Sequence, residues 1–165
     1  DVLMAHRRAM GAGQGFTLVE LIAVLILLGI LSFVALPRLQ QTAGFGQLGF
    51  HDRVGAALRF AQKSAVAQRR LVCATVAADR LTLSVATAFG DAACANPMAG
   101  PAGASPAALA PSAATTMSAA PAGPMYFQPS GTVTSDGAGA NPADFVLSVT
   151  GQAPITVRGV TGLVD

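Results

Sequence analysis

Apolar residues follow three successive patterns along this chain. From Phe16 to Leu36 they are almost continuous, rich in Leu, Ile, Val and Phe, with Glu20 the one charge. A helix of that length, rising ~1.5 Å per residue, spans ~30 Å, the hydrocarbon thickness of a bilayer. From Phe50 the period becomes that of a helix with one apolar face: Phe50, Val54, Ala57, Leu58, Ala61, Ala65 and Val66 share a stripe. Beyond Arg70 short runs of period two predict strands. They lie at 71–76, 81–85, 125–128, 132–134, 145–149 and 155–158. One long helix followed by six short strands places the chain in the α+β class, the helix packing on a small antiparallel sheet.

These patterns divide the chain into a leader at 1–15, a transmembrane or assembly helix at 16–36, an amphipathic helix at 37–70 and a β domain at 71–165. Pro37 is expected to kink the helix that continues past it, and Gly44-Phe45-Gly46 to loosen the next stretch. Residues 95–124 stand apart. They are almost wholly Ala, Pro, Gly, Ser and Thr, carry six prolines and no charge, and are expected to form a mobile insert. Ala107 to Ala110 is given one helical turn at most. Composition makes Ser112, Thr115 and Thr116 candidate O-glycosylation acceptors.

The leader carries His6-Arg7-Arg8. Its positive charge keeps that end in the cytoplasm and sends the remainder outside. Met4 is the preferred start, because Met10 would discard both arginines. An ordinary secretory signal has an apolar run of 7–15 residues and a small-residue cleavage site. This run is longer, and Val34-Ala35-Leu36-Pro37 is a poor site. A twin-arginine signal fits no better, since Ala9-Met10-Gly11 supplies no apolar follow-on.

Glu20 is the residue of the apolar run that asks for a role. A carboxylate near the end of a membrane helix costs up to roughly 2.5–3.5 kcal/mol and by default marks a function. A cut after Gly15 would leave Phe16 with a free ammonium one turn before Glu20, at the i, i+4 spacing that pairs side chains. The pair would form within one chain or between stacked helices, where it would set their register. The alternative is a solvated Glu20 at headgroup level.

Gly15-Phe16-Thr17-Leu18-Val19-Glu20, between a short basic leader and an apolar run that holds Gly29 and closes at Pro37, resembles the processing site and N-terminal helix of type IV pilins and pseudopilins. The resemblance implies a prepilin peptidase that cuts between Gly15 and Phe16, N-methylation of Phe16, and a docking role for Glu20. Tyr126-Phe127-Gln128-Pro129-Ser130-Gly131 and Thr161-Gly162 are similar to the GspH/FimT group of minor pilins and pseudopilins. Phe50-His51-Asp52-Arg53 through Gln68-Arg69-Arg70, with Cys73 soon after, looks most like the minor pilin of mannose-sensitive haemagglutinin (MSHA, MshC-like) pili. The 95–124 insert departs from that pattern.

The resemblance implies a minor pilus subunit with a role in biogenesis or adhesion. Its implied partners are prepilin peptidase, other pilin or pseudopilin subunits, the inner-membrane assembly machinery and, before assembly, the lipid bilayer. It would cross the inner membrane once, hold its C-terminal domain in the periplasm, and then enter a fibre. A GspH-like pseudopilin of a type II secretion system is the alternative, and a FimT-like DNA-uptake pilin a further one.

Composition narrows the remaining classes. A net charge of +2 is small for a nucleic-acid partner. Arg53, Arg59, Lys63, Arg69 and Arg70 are spread round their helix, and Arg158 is the one basic residue in the last 80, so DNA is disfavoured. His51-Asp52 has no nucleophile beside it. No acid–base or nucleophile constellation appears, so neither an enzyme nor a cofactor is expected. Two cysteines and two histidines leave little for a metal site. In an exported domain, Cys73 and Cys94 are most simply a disulfide. Closing that loop of about 22 residues stabilises by ~3 kcal/mol in the chain-entropy model.

Overall fold

A computed structural model describes the backbone of residues 17–40 and 42–165 and the side chains of residues 17–30 and 44–165. It falls into two units, 1–41 and 42–165. The described part of the first is helix α1, Leu18–Gln40, whose helical backbone continues through Pro37.

The second unit opens with helix α2, Thr42–Gln68. It starts earlier than the apolar period suggests, running through Gly44, Gly46 and Gly49. Glycine costs a helix interior about 1 kcal/mol each relative to alanine, and here tertiary packing offsets part of that. The Pro111 ring lies so close to Gly46 that an added Cβ would sit 3.2 Å from it. The predicted face is buried: Phe50, Val54, Ala57, Leu58, Ala61 and Ala65 are inaccessible to solvent. Val66 is a correction. It lies one residue past Ala65, about 100° further round the helix, and is 47% exposed.

The helix ends through backbone geometry. Arg69 adopts φ +51°, and its N–H donates to the Val66 carbonyl (3.4 Å) while the Arg70 N–H donates to that of Ala65 (3.2 Å). These two bonds are a Schellman cap with arginine in the left-handed position where glycine is usual.

Nine strands follow among the described residues: β1 Val72–Val76, β2 Arg80–Val85, β3 Asn96–Met98, β4 Ala108–Leu109, β5 Met117–Ala120, β6 Met125–Phe127, β7 Val133–Thr134, β8 Phe145–Val149 and β9 Ile155–Val157. One sheet runs β3-β2-β1-β6-β7, with β4 also on β2; the other runs β5-β8-β9. All pairings are antiparallel. The side chains that alternate inward, among them Phe127, Phe145, Leu147 and Val157, join the buried face of α2 in one core. The architecture is α+β, a long helix laid on antiparallel sheet.

The six expected strands are present; the other three lie in the stretch expected to be mobile. That expectation is corrected. Two successive segments of the stretch occupy one edge of β2, β4 opposite Arg80–Leu81 and β3 opposite Leu83–Val85. β5 then crosses to the edge of β8, aligning Met117 with Val149. Ala108, expected in a helical turn, is a buried strand residue. Backbone pairing needs no large side chain, and Ala and Gly permit close approach. An added Cβ on Gly100 would stand 2.8 Å from the Ala107 methyl. Thr115 is also buried, so it cannot serve as a glycosylation acceptor; Ser112 and Thr116 remain exposed.

Candidate assembly site

The 1–15 leader, Gly15 included, and Phe16 after it lie outside the described residues; Glu20 lies within them. Thr17 caps α1. Its Oγ1 accepts the Glu20 N–H at 3.2 Å, and its carbonyl accepts the Leu21 N–H at 3.1 Å. Thr17-x-x-Glu20 has the spacing of a capping box, a Thr three residues ahead of a Glu. The acid therefore stands in the first turn, where the positive end of the helix dipole favours negative charge. This local role was legible in the sequence and accompanies any role in docking.

Behind Glu20 the helix is apolar all round. Leu18, Val19, Leu21, Ile22, Val24, Leu25, Ile26, Leu27, Leu28 and Ile30 are all exposed large apolar side chains. A helix without a polar face is stable when something else covers it. Gly29 has nothing within 4 Å of its Cβ position, leaving a notch where another helix can approach closely. Among the described residues no helix is long and apolar enough to cross a membrane. Leu18 to Ile30 by itself covers ~20 Å of the ~30 Å required. The expected span over 16–36 thus extends beyond the described side chains.

In the second unit Cys73 and Cys94 form the expected disulfide, with Cα atoms 6.1 Å apart. The bridge ties the loop after β2 to β1 and sits in a small apolar cluster with Leu71, Ala86 and Tyr126. That loop packs on another. A Cβ on Gly137 would overlap the Ala92 carbonyl, and between the two loops lies a cleft of about 400 Å³ bordered by Phe89, Asp91, Gln128 and Ser130.

The two motif fragments of the C-terminal half meet in space. Gly131 (φ +91°) and Gly162 (φ +67°) lie against each other, so that a Cβ on Gly162 would overlap the Gly131 carbonyl oxygen. Gln62 of α2 donates to the Thr161 carbonyl at 3.1 Å, and the Arg59 Nε donates to that of Val164 at 3.2 Å. The C-terminal segment is thereby fastened along α2.

The charged groups are mostly absorbed by local structure. Backbone N–H groups of Ala140 and Asn141 hold the Asp136 carboxyl below its usual pKa. The Gly159 N–H, then Arg158, does the same for Asp144. Arg80 lowers Asp79. His51 faces its neighbour Asp52 at 3.4 Å. Among the described residues no group of three His, Cys, Asp or Glu is placed to hold a metal ion.

No family model matches the chain, and no curated protein does. Among solved structures it is similar to the type IV minor pilin FimU of Pseudomonas aeruginosa strain PAO1. TM-score is 0.50 at 16% identity, over 72% of this chain and 90% of that one. A second crystal form of FimU aligns at TM-score 0.44, again 16% identical, over 81% and 90%. The fold is that of a type IV pilin.

Proposed function

We propose that the chain is a minor structural subunit of a type IV pilus, of the MSHA kind, with a structural rather than catalytic role. Prepilin peptidase cuts between Gly15 and Phe16, and Phe16 is methylated. The subunit waits in the inner membrane with α1 in lipid and its β domain in the periplasm. On assembly, the apolar surface of α1 passes from lipid to neighbouring helices, and Glu20 pairs with a Phe16 ammonium. The observation that carries this reading is an all-round apolar helix, headed by the Thr17-capped Glu20, on a chain whose fold is a pilin's.

Intact mass of the membrane-extracted protein, with and without co-expressed prepilin peptidase, tests it. A peptidase-dependent chain beginning at N-methylated Phe16 is the expected result. A chain that keeps its leader in both cases refutes the reading. A type II secretion pseudopilin would share the processing, so deletion of the gene separates the two. Loss of surface fibres marks the pilus, and loss of exported proteins the secretion system.

A further inference from the structure

The larger sheet carries a bay on the face it turns away from the main core. Val72, Ala74, Leu83, Met125 and Phe127 belong to that core, so their strand neighbours Cys73, Thr75, Ser84 and Tyr126 point to the opposite face. Register sets Ser84 and Tyr126 on either side of Cys73, each ~4.8 Å away across the sheet. Thr75 stands two places further along β1. The bay over these residues, about 280 Å³, is bordered by Ala92 to Cys94 and by Pro124. Its border is held in place from two sides. The Cys73–Cys94 bridge ties it to the floor, and the Ala92 carbonyl packs on Gly137 of the neighbouring loop.

Three hydroxyls line this bay. Those of Ser84 and Tyr126 belong to half-buried residues, and that of Thr75 to an exposed one. Among the described residues none of the three has a protein hydrogen-bond partner, although each can both donate and accept. No charged side chain among the described residues lines the bay, so an ion entering it would shed water without gaining a counter-charge. A peptide strand finds no edge there, because β1 is paired on both sides, by β2 and by β6, and strand addition needs free backbone groups. The chemistry left is that of an uncharged ligand with several hydroxyls and an apolar face for the Tyr126 ring.

We propose that this bay is a binding site for a neutral saccharide, one sugar ring laid against Tyr126 with its hydroxyls on Ser84 and Thr75. The volume falls just under the ~300–1,000 Å³ usual for small-molecule sites, which suits a single ring. Three hydroxyls and no charge make the binding weak, with Kd on the order of 1 mM.

The chain holds one tyrosine and no tryptophan, so its tyrosine fluorescence reports Tyr126 alone and tests the site directly. The full-length chain, in a detergent without a sugar headgroup, is titrated with glucose, galactose, N-acetylglucosamine and lactose. Glycerol, inorganic phosphate, lysine and tetra-alanine are titrated in parallel. The expected result is a saturable change with at least one of the sugars and none with the other four compounds. Ser84→Ala and Thr75→Val each remove a hydroxyl that holds nothing within the protein. Both should keep the melting temperature and weaken that sugar about fivefold. No saturable change with any sugar, an equal change with glycerol, saturation by phosphate, lysine or tetra-alanine instead, or variants that bind as tightly as the parent each overturn the proposal. The titration of the unsubstituted chain stands by itself if a variant fails to fold.

Discussion

Gly162→Ala should be among the most damaging single-methyl changes in the β domain. Gly162 sits at φ +67° with its N–H bonded to the Arg158 carbonyl at 2.7 Å. A side chain in the left-handed region costs ~1–2 kcal/mol. The new methyl would also overlap the Gly131 carbonyl and come within 3.1 Å of the Gln62 amide carbon. The Gly131 turn has little room to retreat, because the Gly131 N–H bonds to Gln128 and the Gln128 N–H to Thr132, both at 2.9 Å. Overpacking of this kind costs ~1–3 kcal/mol, for a total of about 2–5 kcal/mol. Gly90 is the control: its φ is +89°, yet nothing lies within 4 Å of its Cβ position. Gly90→Ala therefore carries the backbone cost alone. Urea unfolding of the full-length chain in detergent, followed by circular dichroism, measures both. Losses that agree within ~0.5 kcal/mol would refute the claim that the Gly131–Gly162 contact is tight.

Arg69→Gly should raise stability by ~0.5–1 kcal/mol, since glycine occupies the left-handed cap position without the Cβ penalty; an unchanged or lower urea midpoint would contradict the cap. Replacing Cys73 and Cys94 together by serine should cost ~3 kcal/mol, read as a lower urea midpoint. It should also raise hydrogen exchange most in the loop after β2; a global change without that local one would argue against the bridge as a loop clamp. Asp136 and Asp144 have depressed pKa values when folded. Their contribution is complete above the unfolded-state value near ~3.9 and is lost as pH falls through the folded values. Stability should then be level above about pH 5 and fall below about pH 4, with a shallower fall for Asp136→Asn; equal slopes would remove Asp136 from that account.

The core face of α2 was legible because a 3.6-residue period leaves its mark wherever one face is buried, and Phe50 to Ala65 carry it without interruption. It failed at Val66, where the helix is about to end and the apolar side chain turns to an exposed rim. The end itself was hidden for a related reason. A left-handed cap is anticipated from glycine, and here arginine fills it. Thr17 shows the opposite case, a cap written plainly in Thr17-x-x-Glu20 but overshadowed by the question of what Glu20 pairs with.

Residues 95–124 mark where pattern reading stops. Strands betray themselves through alternating large side chains, and β3, β4 and β5 consist mostly of Ala, Pro, Ser and Met. What orders them is the demand of backbone groups for partners at the open edges of β2 and β8. That demand belongs to the neighbours and leaves no trace in the segment's own composition. The same lack of bulk that hides these strands lets Gly100 close on Ala107 and Pro111 on Gly46. A stretch that reads as filler thus packs against the first turns of α2.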